Sequence, residues 1–134
     1  MHVDGGSRGN PGPAAAASVV STPAGELLDE ASELLGTVTN DVAEYRALLL
    51  GLARARTLGA TEVEVVNDSE LIAKQIQGLY KVKHVSMRPL YSEAMAALRG
   101  FGAWKIRSVP RAQNAHADAL VNAALDGSPT AAAG

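Results

Sequence analysis

Four acidic residues stand at positions where a metal-dependent reaction could take place. Asp4 follows the first strand-forming valine and precedes two glycines, and Asp68 ends a short β-branched segment. Glu44 and Asp118 lie early in two helical patterns. Strand ends and helix starts are where crossover folds gather their sites, and four converging carboxylates would repel one another unless cations bound between them. Oxygen ligands without histidine or cysteine favour magnesium or manganese, and paired ions of this kind promote in-line phosphoryl transfer.

Each acid also has an ordinary structural explanation. Glu44 and Asp118 would be stabilised by the N-terminal end of a helix dipole, and Asp68 before Ser69 is typical of a turn. Asp4 is the hardest to explain in this way, because a carboxylate inside a central strand is costly without a partner. From spacing alone, a metal site and a set of structural acids both stay open.

Breaker residues and hydrophobic periodicity divide the chain into nine elements in the order βββαβααβα. Three consecutive strands with hairpin spacing predict antiparallel pairing, whereas strands reached through helices predict parallel crossovers. We therefore predict an α/β fold with a mixed five-stranded sheet flanked by helices. The expected strands begin at Val3 and then cover Ala14 to Val20, Glu26 to Leu35, Val63 to Val66 and Trp104 to Val109. The expected helices follow caps at Thr39 or Asn40, Ser69 and Asn114, or begin at Pro89, and they end at Gly59, Gly78, Gly100 and Leu125.

The length of 134 residues suits one domain, which we assign to residues 1–125, with 126–134 as a disordered tail or linker stub. No apolar run is long enough to span a bilayer, and Asp4 and Arg8 interrupt any signal peptide. The absence of cysteine excludes disulfides, thiolate zinc sites and a cysteine nucleophile. These features favour a cytoplasmic protein.

The net charge of −2 hides an uneven distribution. Residues 71–111 contain eight lysines and arginines but only one acid, Glu93. A basic stretch separate from the acids suits a phosphate-facing surface beside an acidic site, and a solvated basic face explains it equally well.

Four segments, in order, resemble the motifs of type 1 ribonucleases H. Four ordered motifs arise by chance far less often than one, and the resemblance covers about residues 1–125. The short loop between two helices further resembles the compact, handle-less branch of bacteria and archaea and the ribonuclease H domain of actinobacterial proteins, some of which carry a second, phosphatase-like domain. The motif segments are Asp4–Pro13, Thr39–Tyr45, Asn67–Ser69 and Asn114–Asp118.

The resemblance implies an endoribonuclease that hydrolyses the RNA strand of RNA/DNA hybrids, acts as a monomer and needs two magnesium ions, for which manganese would substitute. Asp4, Glu44, Asp68 and Asp118 would be the catalytic, metal-binding carboxylates. Asp4 would bind both ions, Asp118 would complete the site that activates water, and Glu44 and Asp68 would hold the ion at the leaving 3′ oxygen. The products would carry 5′-phosphate and 3′-hydroxyl ends.

The same resemblance implies substrate-binding residues. Ser7, the backbone of Gly9, Asn10 and Asn40 would contact the minor groove, where 2′-hydroxyls distinguish RNA from DNA. Thr39 would bind a phosphate of the DNA strand. A plain turn stays an alternative for the glycine- and proline-rich loop at 9–13.

Some positions depart from the family pattern. The loop at 110–114 lacks the histidine that relatives often carry, and Arg111 is the candidate to hold a phosphate there. His116 lies two residues before Asp118, so its side chain should point elsewhere and lie on the surface. Asp41 and Glu70 stand where many relatives have amides, and ionised acids cannot donate hydrogen bonds to a base or to the DNA strand.

Three other functions are compatible with parts of this sequence. Another nuclease of the superfamily, such as a junction resolvase, transposase core or exonuclease, would share the carboxylates but lack the Gly-Asn-Pro-Gly loop. A non-catalytic hybrid-binding module would lack a carboxylate. A generic α/β domain with turn acids would gain no stability from magnesium.

Overall fold

A computed structural model describes residues 1–127 of the chain. The observed order confirms the predicted βββαβααβα arrangement, with two short 3₁₀ turns, Val85–Met87 and Arg111–Asn114, added before the third and fourth helices. The strands are β1 (His2–Ser7), β2 (Gly12–Ser21), β3 (Leu27–Val38), β4 (Glu62–Asn67) and β5 (Ala103–Ser108). The helices are α1 (Asn40–Thr57), α2 (Glu70–Ile76), α3 (Arg88–Arg99) and α4 (Ala115–Asp126).

The sheet has the order β3-β2-β1-β4-β5, and its pairings confirm the predicted mixture. β3, β2 and β1 pair antiparallel, whereas β1, β4 and β5 are parallel. β4 and β5 stay in register over their whole length, but β1 and β4 are paired at His2 and Val66, near the start of β1. The two central strands therefore separate toward their C-terminal ends, and such a switch point is where α/β folds place their sites.

Helices cover both faces of the sheet. α1, α2 and α3 bury the main core, in which Tyr45, Leu48 and Leu98 are almost completely enclosed. α4 packs on the other face, where Val121 lies against Ala15 and Ala17 of β2. Because β2 presents small side chains on both faces, a helix can approach closely on either side and fix the sheet edge between them.

Most predicted helix ends are confirmed. Thr39 caps α1 by accepting a hydrogen bond from the Val42 N–H at 3.3 Å, and Ser69 caps α2 by accepting one from Ile72 at 3.2 Å. Pro89 lies in the first turn of α3, and Gly59 follows α1 with a φ of +82°. These side chains satisfy the free N–H groups of a first helical turn or tolerate the left-handed backbone of a helix end.

The expected cap at Asn114 was wrong in one respect. Asn114 has the N-cap position of α4, but its side chain makes no capping hydrogen bond. Its amide instead donates to the carbonyl of Val3, because a buried backbone acceptor on β1 competes for the same donor.

α4 continues through Asp126 and is closed by Gly127, whereas the rest of the predicted tail, residues 128–134, lies outside the described residues. Within 1–127, no helix is long and apolar enough to cross a membrane.

Candidate functional site

Three of the four predicted carboxylates meet where β1 and β4 separate. One oxygen each of Asp4, Glu44 and Asp68 lies within 4.8 Å of the others. Asp4 is only 4% exposed and Glu44 only 6%, so the cluster is set into the protein rather than spread over its surface. Buried acids at this spacing repel one another strongly in a medium of low dielectric constant.

Glu44 reaches the cluster because α1 runs very close to β1. A Cβ atom at Gly5 would lie 2.1 Å from the carbonyl oxygen of Ala43, so only glycine permits this approach. The Gly5 N–H then donates to Oε1 of Glu44 at 3.0 Å. The importance of Gly5 was missed from the sequence, although consecutive glycines within a strand indicate a close backbone approach.

Asp68 is held by the turn that joins β4 to α2. The preceding Asn67 is 2% exposed, and its Oδ1 accepts a hydrogen bond from the N–H of Ser69 at 2.6 Å. Ser69 in turn caps α2, so the backbone on both sides of Asp68 is fixed. The Asn-Asp-Ser sequence was the signal for this turn.

Asp118 stands beside the three clustered acids and is joined to them by Arg111. Nη2 of Arg111 lies 3.7 Å from Oδ1 of Asp118, and its Nε lies 3.9 Å from Oδ2 of Asp68. The Arg111 side chain is 79% exposed, so it is an accessible cation at the mouth of the site. Asn122, one turn further along α4, donates to the other Asp118 oxygen at 3.3 Å.

Burial and the neighbouring negative charges disfavour the ionised forms of Asp4 and Glu44. Burial raises the pKa of Asp4 to about 8, with further contributions from the charges of Asp68 and Asp118, and Arg111 opposes the rise. Burial raises the pKa of Glu44 as well, followed by the charges of Asp4 and Asp68, while the bond from Gly5 lowers it. The donor set contains oxygen only, so these residues fit a hard divalent cation that would relieve the repulsion.

The predicted substrate-reading residues come together beside the carboxylates. Asn40, which lines the same cleft of about 330 Å³ as Asp4, accepts a hydrogen bond from the Ser7 N–H at 3.4 Å. The Asn40 N–H donates to Oδ1 of Asn10 at 2.9 Å, and Gly9 adopts a φ of +100° at the tip of the same loop. The hydroxyl of Ser7 is buried and has no hydrogen-bond partner within residues 1–127.

The basic segment, residues 79–88, lines a second cleft at the start of α1. Its backbone is anchored at Lys81, whose carbonyl accepts a hydrogen bond from Gln75 at 3.4 Å, while buried Tyr45 donates to Gln75 at 2.7 Å. The Nε–H of Arg88 donates a hydrogen bond to the carbonyl of Val82 at 3.2 Å. A cleft of about 460 Å³ separates the segment from Asp41 and is lined by Asp41, Leu71, Gln75, Leu79, Tyr80, Lys81, Lys83 and His84.

His116 lies on the surface, as expected. Its side chain is 52% exposed, and Nε2 is 3.3 Å from a carboxylate oxygen of Glu30 on β3. Its partner is therefore an edge-strand acid, away from Asp118.

Comparison with known proteins places this geometry in a family. The model of the reverse transcriptase-like family matches residues 2–124. A bifunctional protein of Mycobacterium tuberculosis is 46% identical over 134 residues, which represent 99% of this chain and 37% of that protein. The chain therefore spans little more than a third of the length of these curated relatives.

Solved structures agree with that assignment. Ribonuclease H1 from the halophilic archaeon Halobacterium salinarum superimposes with a TM-score of 0.92 at 41% identity, covering 95% of this chain and 96% of its own. Another ribonuclease H1, solved in complex with an RNA/DNA hybrid, gives a TM-score of 0.90 at 40% identity, covering 94% and 95%. The predicted ribonuclease H-like fold is confirmed.

Proposed function

The chain belongs to the type 1 ribonuclease H family, and from that premise we propose that it is an endoribonuclease that hydrolyses the RNA strand of RNA/DNA hybrids. The observation that carries the proposal is the buried group of Asp4, Glu44 and Asp68 beside the Ser7 and Asn40 loop contacts. The neighbouring solved structure that contains an RNA/DNA hybrid supports the choice of substrate.

Asp4, Glu44, Asp68 and Asp118 would hold the metal, which we propose to be two magnesium ions with manganese as a substitute. When bound, such ions supply a nucleophilic water and stabilise the charge that develops on the leaving oxygen. Attack on phosphorus with departure of the 3′ oxygen gives 5′-phosphate and 3′-hydroxyl ends. The protein residues supply the fixed ligands, because the Gly5 contact and the Asn67 turn hold Glu44 and Asp68 in place before substrate arrives.

The loop at 7–10 and the start of α1 would read the hybrid. Ser7, Gly9, Asn10 and Asn40 lie together next to the carboxylates and would contact the minor groove, where 2′-hydroxyls mark the RNA strand. Thr39, at the α1 cap, would contribute a contact to a DNA-strand phosphate. Arg111, exposed beside Asp68 and Asp118, would hold a phosphate of the RNA strand near the cut.

The direct test is cleavage of one labelled sequence in four forms: RNA/DNA hybrid, RNA duplex, DNA duplex and single-stranded RNA. With magnesium, the hybrid alone should be cut, and product sequencing should find 5′-phosphate ends. EDTA should abolish the reaction and manganese should restore it. Comparable cutting of the DNA duplex would instead favour a general nuclease of the superfamily, and binding without cleavage would favour a hybrid-binding module.

The domain limits 1–125, the monomeric state and a cytoplasmic location also stay predictions. Size-exclusion chromatography with light scattering would test the monomeric state.

A further inference from the structure

Asn114 joins two segments of the candidate site that are far apart in the sequence. Its Nδ2 donates to the carbonyl of Val3 at 2.9 Å, and the residue is 1% exposed. Val3 immediately precedes Asp4, and Asn114 stands four residues, about one helical turn, before Asp118. One buried hydrogen bond therefore links the strand that carries Asp4 to the helix that carries Asp118.

The separation of β1 from β4 explains why this carbonyl is available. The parallel pairing is registered at His2 and Val66, and the N–H of Val66 donates to the carbonyl of Met1 at 2.8 Å. After His2, β1 no longer pairs with β4. The carbonyl of Val3 therefore accepts its hydrogen bond from the side-chain amide of Asn114. The departure opens the cleft between Asp4 and Asp68, so Asn114 satisfies the acceptor that the opening exposes.

The chemistry of Asn114 indicates a role other than stability. Its Oδ1 is buried and has no hydrogen-bond partner in the described part of the chain, and such an atom costs about 1–3 kcal/mol. A residue needed only for packing would avoid this cost with an apolar side chain, and one needed only as a cap would bond to the helix. Asn114 does neither, and its one side-chain hydrogen bond is to Val3.

We propose that Asn114 is a positioning residue that sets the placement of Asp118 relative to Asp4 and so completes the metal site. This inference rests on the proposed function. Asp118 is the one site acid that is not part of the 4.8 Å group of Asp4, Glu44 and Asp68. In this arrangement the hydrogen bond from Asn114 holds the start of α4, and with it Asp118, against β1.

The test compares two side-chain amides that make the same kind of bond at different strands. Gln77 donates to the carbonyl of Ile106 on β5 at 2.7 Å, and β5 carries none of the site carboxylates. Asn114→Ala should lower kcat on a labelled hybrid about 10- to 100-fold, as removal of partners that orient metal ligands does, with KM within about threefold. Gln77→Ala should lower the Tm but leave kcat and the magnesium requirement at wild-type values.

A readout independent of activity is the rise in Tm on titration with magnesium. The midpoint of this titration is the magnesium concentration that gives half of the rise in Tm. Asn114→Ala should raise the midpoint by about the same factor as it lowers kcat, whereas Gln77→Ala should leave it unchanged. If Asn114→Ala fails to fold, Asn114→Leu gives the same measurement. Leucine has a similar volume and removes the unpaired Oδ1, but it cannot donate to Val3.

Combination with Asp118→Asn identifies the group through which Asn114 acts. If Asn114 only places Asp118, the double variant should bind magnesium no more weakly than Asp118→Asn alone, because the two losses are not additive. Additive losses, or folded Asn114 variants with a wild-type magnesium midpoint and kcat, would overturn the proposal. The titration does not depend on which nucleic acid is cut, so failure of the proposed function would show separately, as a wild-type protein that leaves hybrids intact.

Discussion

The carboxylate site and the basic segment line separate clefts at the start of α1 and are built in different ways. Asp4 and Glu44 are buried, and backbone contacts through Gly5 and the turn before Ser69 fix the positions of the acids. Lys81 and Lys83 are exposed, and their segment is anchored mainly through backbone carbonyls. In the proposed function, the acids would have to hold a fixed geometry, whereas the lysines would need only to supply positive charge near phosphates.

Removing one hydroxyl of the substrate should have the largest effect that is specific to the carboxylate site, because it should change cleavage and leave binding nearly unchanged. The resemblance to ribonucleases H also implies that Glu44 lies close to the 2′-hydroxyl at the cut. A hybrid with a single deoxynucleotide 5′ to a preferred cut keeps its phosphates but removes that hydroxyl. Single-turnover cleavage at that bond should fall about a hundredfold or more, because a site built around a hydroxyl discriminates strongly against its absence. Affinity measured in calcium, and cleavage at neighbouring bonds, should be nearly unchanged. Equal cleavage at the substituted bond would show that the carboxylate site does not read RNA.

The sequence predicts the elements and the acids of the site, but not the contacts between them. The order of elements followed from breakers and periodicity, and the four acids followed from their places at element ends and from the motifs. The contact distances could not be predicted, because they depend on the approach of α1 to β1 at Gly5 and on Arg111 standing between Asp68 and Asp118. Asn114 shows the limit most clearly. Whether it caps a helix depends on a free carbonyl that is 111 positions away in the sequence.

The pH dependence of stability should distinguish the buried acids from the exposed lysines. In the metal-free protein the pKa of Asp4 is about 8, against about 3.9 in an unfolded chain. Between these values the folded state holds the proton more tightly, so its stability should fall as the pH rises from about 4 to 8. Asp4→Asn removes this loss, so in EDTA its Tm at pH 8.5 should exceed that of the wild type by about 5 °C or more.

The same two proteins should have nearly equal Tm values at about pH 3, below both pKa values, where Asp4 is mostly protonated in both states. Magnesium at pH 8.5 should favour the wild type. A lower Tm for Asp4→Asn in EDTA at pH 8.5 would show that Asp4 is stabilised by partners rather than strained.

The basic segment should respond to salt rather than to metal. Replacing Lys81, Lys83 and Arg88 with glutamine should raise KM at moderate salt and leave kcat within about twofold. Removing each phosphate-binding charge should reduce the slope of log affinity against log salt by about 0.9. Because Arg88 already donates to Val82, we expect the two lysines to account for most of the change. Lys105→Gln, at an exposed position of β5, is the control. An unchanged slope in the triple variant would make this segment a solvated face.

A smaller difference in kcat/KM should separate variants of Arg111 and His116, which lie near the start of α4. Arg111→Ala removes the exposed cation that is proposed to hold a phosphate near the cut. It should lower kcat/KM about tenfold or more, because a hydrogen bond to a charged group contributes about 1.5–3 kcal/mol. His116→Ala removes a partly exposed interaction with Glu30 and should stay within about twofold of the wild type. The reverse ranking would mean that His116 takes the role assigned to Arg111.

The measurement that bears most directly on the central assignment is the cleavage rate of Asp4→Asn on a labelled RNA/DNA hybrid in saturating magnesium. Glu93→Gln, at an exposed position of α3, is the control. The asparagine keeps the shape of the side chain but removes the charge at the centre of the carboxylate group. We predict that the rate falls about 1,000-fold or more, equivalent to about 4 kcal/mol of transition-state stabilisation, while Glu93→Gln cuts at the wild-type rate. A folded Asp4→Asn protein that cuts the hybrid at a near-normal rate would contradict the assignment of this carboxylate cluster as the catalytic centre.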